Sequence, residues 1–140
     1  MGVKFSKIHV DDLSFVYNNI EEKLKYIIKK SYADWTPADI HAALKTKEAE
    51  LYIVYKEADD VGFIITAVQE NYGSGPTLFI WATYTDPKYD CKKEGFEYIE
   101  GLAKKLQADN IEFQTSRKGW AKTGPKFGYK LVSSVYRKEM

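Results

Sequence analysis

The sequence predicts an α/β domain in which a split, mixed β-sheet is flanked by helices. Three observations support this prediction. Apolar residues at steps of three and four indicate helices in both halves of the chain. Alternating or continuous apolar runs of five to seven residues indicate strands between and after these helices. One succession of strand, helix and strand also implies a parallel pair joined by a right-handed crossover, which makes the sheet mixed.

Length and composition limit the classes of protein to consider. At 140 residues the chain fits one domain, 1–140, and 44% hydrophobic residues are enough to build a core. A formal charge of +1 gives no basis for phosphate-driven nucleic-acid binding. No apolar run approaches the ~20 residues of a membrane span, and the N-terminus lacks a signal-peptide pattern. With Cys91 as the only cysteine, the expected location is the reducing cytoplasm.

The first half of the chain predicts a strand, two helices and a hairpin. Residues 3–10 begin as an alternating strand, and an apolar stripe over 13–30 predicts a helix after an Asp11 or Asp12 cap. A second helix has Thr36 as its cap, Pro37 in its first turn and Asp39 in an approximate capping box. Strands are then expected over 51–55 and 63–68, joined by a tight turn.

The second half predicts the parallel pair. The almost continuously apolar run 78–84 is typical of a strand covered on both faces. A helix from about Asp90 to Gln107 connects it to an alternating strand over 111–115. A short helical segment and a last strand over 131–136 follow. The predicted order is β-α-α-β-β-β-α-β, then a short helix and a final β.

This order resembles the fold of the GCN5-related N-acetyltransferases (GNAT) over nearly the whole chain. The segment Arg117-Lys118-Gly119-Trp120 leads to Phe127-Gly128-Tyr129, which is similar to the ending that follows the fifth strand in that family. Together with Ile80-Trp81-Ala82-Thr83-Tyr84, it looks like a divergent branch encoded by bacteriophages. The resemblance implies an acyl-CoA N-acyltransferase, in the host cytoplasm if the chain is phage-encoded.

The segment expected to bind the pyrophosphate lacks the family's usual sequence motif. Active members place Arg/Gln-x-x-Gly-x-Gly/Ala at the start of this helix, so that backbone N–H groups can approach the phosphates of acetyl-CoA. In one register the two glycine positions fall on Asp90 and Lys92, and the Arg/Gln position falls on Pro87. In the other, Gly95 takes the second glycine position, but Lys93 takes the first. The loop therefore predicts weak acetyl-CoA binding or none.

Four residues remain as candidates for cofactor binding under this resemblance. Thr83 lies on the strand before the loop, and three lysines of the loop region could compensate as point charges, namely Lys88, Lys92 and Lys93. No metal is expected, because His9 and His41 lie far apart with no carboxylate or cysteine at ligand spacing.

Each candidate catalytic residue also has a purely structural explanation. Tyr129 or Tyr136 could protonate a leaving thiolate, but most of the 11 tyrosines are expected to supply core mass. Glu112 could act as a base, or could be an outward-facing charge on an alternating strand. Cys91 lies near a helix start, which can lower a thiol pKa, but no histidine lies nearby in sequence to activate it.

A basic and aromatic cluster follows the predicted parallel strand. Arg117 and Trp120 are expected on the rim of a crevice between the two parallel strands, where open α/β sheets tend to bind ligands. The alternative is a solvated turn whose Trp120 packs inward. Three functions remain open: an N-acyltransferase with a degenerate phosphate loop, a non-catalytic binding or virion-associated protein with the same fold, or a ligand-binding domain with a different cofactor. The partner is an unspecified small molecule or protein, and a homodimer is possible.

Overall fold

The computed structural model describes residues 2–31 and 33–140, which form a five-stranded sheet with helices on both faces. The strands are β1 (Val3–Lys7), β2 (Glu50–Lys56), β3 (Asp59–Asn71), β4 (Gly75–Thr85) and β5 (Asn110–Phe113). The helices are α1 (Leu13–Lys30), α2 (Pro37–Lys45), α3 (Lys92–Lys105) and α4 (Trp120–Lys126), with a 3-10 turn (Val10–Asp12) before α1. None of the described helices is long and apolar enough to cross a membrane. The predicted order is confirmed from β1 to α4.

The sheet is mixed, as predicted. The spatial order of its strands is β1-β2-β3-β4-β5, and the first three neighbouring pairs are antiparallel. β4 and β5 are parallel neighbours joined through α3, which confirms the predicted crossover. Their register runs from Thr77 opposite Asn110 to Ile80 opposite Phe113.

Two apolar cores lie on opposite faces of the sheet. α1 and α2 cover one face, where Leu24, Ile40 and Phe63 are almost fully buried. α3 covers the other face and packs Ile99 against Leu78 of β4. Because helices cover both faces, the central strands are apolar on both sides rather than alternating.

Local sequence signals explain the ends of α2 and α4. The Oγ1 atom of Thr36 accepts from the N–H of Asp39 at 3.3 Å, and the carboxylate of Asp39 accepts from the N–H of Thr36 at 2.8 Å. This is the predicted capping box. At the end of α4, Gly128 has a φ of +87°, and the N–H of Tyr129 donates to the carbonyl of Gly124 at 3.0 Å. That geometry is a Schellman motif, which needs glycine at this position.

The prediction of a last strand over residues 131–136 is wrong in this structure. These residues form neither strand nor helix, and their apolar side chains are exposed. Alternating apolar residues supply strand propensity, but a strand also requires a neighbour to pair with. No backbone hydrogen bond joins residues 130–140 to the rest of the described chain. The first strand is also shorter than predicted, because Val10 enters the 3-10 turn before α1.

Candidate functional site

The two parallel strands separate after a short stretch of pairing. β5 ends at Phe113, whereas β4 continues through residues 81–85 after its last pair at Ile80. No backbone hydrogen bond of the described chain reaches this part of β4 from the β5 side. One wall of the resulting crevice is therefore an extended strand with unpaired N–H and C=O groups. Such an edge can hydrogen-bond an extended ligand that carries amides.

A β-bulge marks the point of separation. On the other side of β4, Ile65 pairs with Ala82 and Thr66 pairs with Ile80, so that Trp81 has no partner on β3. The extra residue changes which side chains face the core, as bulges do next to functional sites. Trp81, Ala82 and Tyr84 pack towards α1 and α2, whereas Thr83 is left exposed.

A carboxylate of the chain itself lies at the start of α3. The Oδ1 atom of Asp90 accepts from the N–H of Lys92 at 3.3 Å. A phosphate would bind at this same helix N-terminus, where free N–H groups and the helix dipole favour negative charge. Gly95 lies within the first turn, where its N–H donates to the carbonyl of Cys91 at 2.8 Å. The residues present therefore do not form a glycine cradle for a pyrophosphate.

Thr83 and the three candidate lysines lie at the same end of the sheet. All four are exposed, with Thr83 on β4 and the lysines between the end of β4 and the first turn of α3. The Nζ atom of Lys92 lies 5.9 Å from the centre of the Trp120 ring. The Nζ atom of Lys93 lies 4.0 Å from a carboxylate oxygen of Glu97. Two of the three lysine ammonium groups therefore lie near partners of their own chain.

An aromatic cluster packs β5 against α3 and α4. The ring of Phe113 lies 4.8 Å from that of Trp120 and 5.3 Å from that of Tyr129. The ring of Phe96, on α3, lies 5.8 Å from that of Trp120 and 4.4 Å from that of Phe127. Trp120 is half-buried in this cluster, so packing against other rings explains much of its presence here.

Arg117 lies in the segment between β5 and α4, and it is exposed. Its backbone N–H donates to the Oγ1 atom of Thr115 at 3.0 Å, and its guanidinium group makes no ion pair with a carboxylate of the described residues. The guanidinium group of Arg117 is therefore available to an anionic ligand, whereas only the exposed part of the Trp120 ring is available for contact.

The three catalytic candidates occupy different environments. The hydroxyl of Tyr129 is buried and has no hydrogen-bond partner. Burial, with a smaller contribution from Glu100, raises the pKa of Tyr129 to about 12. Glu112 is half-buried on β5 opposite Phe79. Tyr136 is 95% exposed in the segment after α4. The structure therefore brings Glu112 and Tyr129 to β5 or its neighbourhood and leaves Tyr136 outside.

Cys91 precedes α3 and is buried. Burial raises the pKa of its thiol, and the charge of Glu94 adds to the rise. Proximity to a helix N-terminus predicted a lowered value, but the loss of solvation outweighs the dipole here. Burial and the raised pKa both disfavour the thiolate form that a nucleophile requires. Within residues 2–31 and 33–140, no group of three or more potential ligand side chains could hold a metal ion.

A polar pocket of about 150 Å³ lies between α1 and the ends of β3 and β4, and the sequence did not indicate it. The Nζ atom of Lys23 lies there, 5.2 Å from the centre of the Tyr84 ring. Burial raises the pKa of Asp60, which also lines the pocket. Gly62 was a sequence feature that could have indicated a close approach of β3 and β4 here, because any side chain at this position would collide with the carbonyl of Tyr84. The lining residues come from separate elements, so no motif joins them in sequence.

Comparison with solved structures relates this geometry to known proteins. A ribosomal-protein-alanine N-acetyltransferase from Brucella melitensis biovar Abortus 2308 matches with a TM-score of 0.71 and 14% identity over 100% of both chains. A predicted acetyltransferase with acetyl-CoA from Clostridium acetobutylicum matches with a TM-score of 0.70 and 14% identity, over 99% of this chain and 96% of that one. A GCN5-related N-acetyltransferase from Ralstonia eutropha JMP134 matches with a TM-score of 0.70 and 13% identity over 99% of both.

The chain has the GNAT fold. Identities of this size establish the fold alone, and neither a protein-family model nor a curated protein sequence matches the chain. The three structures named here are of bacterial proteins, so the resemblance to a phage-encoded branch stays a prediction.

Within the GNAT fold, this chain departs from the expected pattern at two places. At the start of α3, the carboxylate of Asp90 accepts the N–H of Lys92, and there is no glycine cradle. The segment after α4 does not join the sheet. The first departure concerns the candidate ligand, and the second concerns the free edge of β5.

Proposed function

We propose that the crevice between β4 and β5 binds an acyl thioester and that the chain is an N-acyltransferase with a degenerate phosphate loop. The observation that supports this most is the unpaired stretch of β4 after the bulge at Trp81. The pantetheine arm of acyl-CoA carries two amides, which an open strand edge can hydrogen-bond. One of the structural neighbours of the chain contains acetyl-CoA.

The reaction class requires one proton to leave and another to arrive. The nitrogen of an amine attacks the thioester carbonyl, a C–N bond forms, the C–S bond breaks and the thiolate takes a proton. Glu112 is the candidate base, because it lies half-buried on β5 one residue before the last pair with β4, and it would take the proton from the amine. Tyr129 is poorly placed as the acid, since its hydroxyl is buried in the aromatic cluster and its pKa is about 12.

The nucleotide end of acetyl-CoA is expected to bind weakly, because the carboxylate of Asp90 accepts an N–H at the start of α3 and its negative charge opposes that of a phosphate. Calorimetry with acetyl-CoA and with S-acetylpantetheine, which lacks the phosphates, separates the two ends of the donor. We expect similar, weak affinities for both in the unmodified protein. Asp90→Asn should tighten acetyl-CoA alone, by roughly 3- to 10-fold, because it removes one negative charge from the helix N-terminus.

Asp86→Asn is the matched control. Asp86 also accepts a backbone N–H in the same loop, from Lys88 at 3.0 Å, but it lies before α3 rather than on its N-terminal amides. Absence of any binding of either thioester would overturn the proposed function. Acetyl-CoA binding in the low micromolar range, about −8 kcal/mol, would instead show that the lysines replace the missing cradle.

Glu112→Gln tests the chemistry separately from binding. With S-acetylpantetheine and a panel of amines, we expect kcat to fall by about 10²- to 10⁴-fold with unchanged thioester affinity. An unchanged kcat would remove Glu112 as the base.

A non-catalytic binding protein is the second candidate. The occupied α3 N-terminus and the buried Tyr129 hydroxyl favour it, because they leave the crevice without a phosphate cradle and without an evident acid. In that case Arg117 and the exposed part of Trp120 would contact a small molecule or a protein, including a virion component if the chain is phage-encoded. Thioester binding without acyl transfer to any amine would favour this candidate.

A further inference from the structure

A second cavity, of about 90 Å³, lies on the β1 side of the sheet, where the end of β1, the start of α1, the end of α2 and the start of β2 meet. Its apolar wall includes Leu13, Leu44 and Leu51, each at most 5% exposed. Its rim is defined here as the four titratable residues that line it, all of them partly or fully exposed: Lys7, His9, Lys47 and Glu50. The cavity is therefore apolar inside and charged at its opening.

The charges of the rim do not cancel. The carboxylate of Glu50 lies 3.6 Å from the Nζ atom of Lys7, so these two residues neutralise each other. The ammonium group of Lys47 makes no ion pair with a carboxylate of the described residues. Its neighbour in sequence, Glu48, instead accepts a hydrogen bond from the Oγ1 atom of Thr46 at 3.2 Å. One cation of the rim is left without a counter-charge, which favours an anionic ligand.

His9 adds a hydrogen-bond donor to the rim. Its Nδ1 atom accepts the N–H of Asp11 at 3.2 Å, and a neutral imidazole that accepts through Nδ1 carries its proton on Nε2. If the ring is charged, Nδ1 instead faces the carboxylate of Asp11 at 3.4 Å, and Nε2 still carries a proton. Asp11 itself does not line the cavity. His9 therefore offers an N–H donor in either charge state.

The backbone of Lys47 is strained. It follows the C-cap of α2, Thr46, and has a φ of +64°, where its N–H donates to the carbonyl of Leu44 at 3.3 Å. Glycine is the usual residue at such a position, because a side chain is disfavoured in the left-handed region. The α2 dipole does not explain this lysine, because Lys45 already places a cation in the last turn. Strain that persists at a cavity rim indicates that the side chain itself is used.

We propose that this cavity binds a small aliphatic carboxylate. The carboxylate lies at Lys47 and His9, and the alkyl chain lies against Leu13, Leu44 and Leu51. Because one water-sized atom needs about 10–15 Å³ of such space, the cavity holds roughly six non-hydrogen atoms, the size of butyrate.

The cavity is separate from the crevice between β4 and β5. β2 and β3 lie between β1 and β4, which places the crevice about 14 Å or more from β1. The proposal is therefore independent of the thioester chemistry, and an excess of S-acetylpantetheine should leave the affinity for butyrate unchanged.

Nuclear magnetic resonance titration of the full chain with butyrate tests the site. Amide shifts should concentrate in the segment from Leu44 to Leu51 and at Ile8. Acetate should bind roughly 10-fold more weakly than butyrate, because it buries two fewer methylene groups. Inorganic phosphate, which has no apolar part, and butylamine, which has the opposite charge, should cause no such shifts.

Lys47→Gly and Glu57→Gly are a matched pair of variants. Glu57, in the turn between β2 and β3, has a φ of +58°, so both substitutions relieve a left-handed residue. Both variants should be at least as stable as the wild type in urea. Only Lys47→Gly should weaken butyrate binding, by 10-fold or more, and Lys47→Arg should retain it.

Several outcomes would overturn the proposal. Absence of butyrate shifts at tens of millimolar ligand would exclude the site, and shifts centred on residues 81–85 would place the ligand in the crevice. Phosphate that binds as tightly as butyrate would indicate a general anion site, and equal binding of butylamine would indicate a merely apolar one. Butyrate affinity that survives Lys47→Gly would remove the cation from the site.

Discussion

Removing the hydroxyl of Tyr129 should stabilise the protein. Tyr129 and Tyr17 both have a pKa raised to about 12 by burial, but their hydroxyls differ in hydrogen bonding. The Tyr17 hydroxyl donates to the carbonyl of Pro37 at 2.7 Å, whereas the Tyr129 hydroxyl has no partner. Tyr129→Phe and Tyr17→Phe are therefore a matched pair of the same chemical change with opposite expected signs.

The magnitudes follow from the cost of burying a polar group. A buried hydroxyl without a hydrogen bond costs about 1–3 kcal/mol, so Tyr129→Phe should raise the free energy of unfolding by roughly 1 kcal/mol. Tyr17→Phe loses a hydrogen bond and leaves the Pro37 carbonyl without that donor, and it should lower the free energy of unfolding by about 1–2 kcal/mol. Both rings keep their aromatic contacts, because only the oxygen is removed.

Urea denaturation followed by circular dichroism measures both effects. The midpoint should rise for Tyr129→Phe and fall for Tyr17→Phe, with an unchanged m-value. A loss of stability in Tyr129→Phe would refute the reasoning, because it would reveal a partner for the hydroxyl. A loss of acyl transfer in that variant at unchanged stability would make Tyr129 a functional residue after all.

Three further predictions concern the close strand pair, the rim of the crevice and alkaline pH. Gly62→Ala should destabilise by about 2 kcal/mol or more in urea, because its Cβ would collide with a backbone carbonyl of β4. Gly95→Ala, whose Cβ meets nothing within 4 Å, should instead stabilise α3 by up to about 1 kcal/mol. Arg117→Ala should abolish ligand or partner binding and change stability by no more than about 0.5 kcal/mol, whereas Trp120→Ala should cost roughly 2–3 kcal/mol through lost ring packing. The opposite split would make the cluster purely structural. Folded tyrosines with a pKa of about 12 ionise later than unfolded ones at about 10, so the free energy of unfolding should fall as pH rises from 10 to 12. Constant stability over that range would contradict the burial of these tyrosines.

The sequence predicted the cap of α2 correctly, whereas the predicted cap of α1 is not formed, because the side chain of Asp12 makes no capping hydrogen bond. The Thr36 cap and the Asp39 carboxylate form their hydrogen bonds within one helical turn, so their positions in sequence suffice to predict them. The parallel pair was also predictable. A helix between two strands of one sheet usually forms a right-handed crossover, which makes the two strands parallel. The apolar character of β4 also indicates that both its faces are covered.

The candidate site was only partly predictable. The missing glycines were visible in sequence, but the hydrogen bond from the N–H of Lys92 to the carboxylate of Asp90 was found only in the structure. The raised pKa of Cys91 depends on its burial under α3, which opposes the helix-terminus effect that the sequence alone suggested. Whether a group is solvated is decided by residues that are distant in sequence.

The sequence by itself determined the order of elements from β1 to α4, the Thr36 cap of α2 and the absence of a glycine cradle, because each depends on residues within a few positions of one another. Only the tertiary structure decided the bulge at Trp81, the unpartnered hydroxyl of Tyr129 and the unpaired tail. A bulge, a hydrogen bond and a strand each require a second segment at a set distance. The tail shows this most clearly, because its apolar alternation is real and yet no neighbouring strand of the described chain pairs with it.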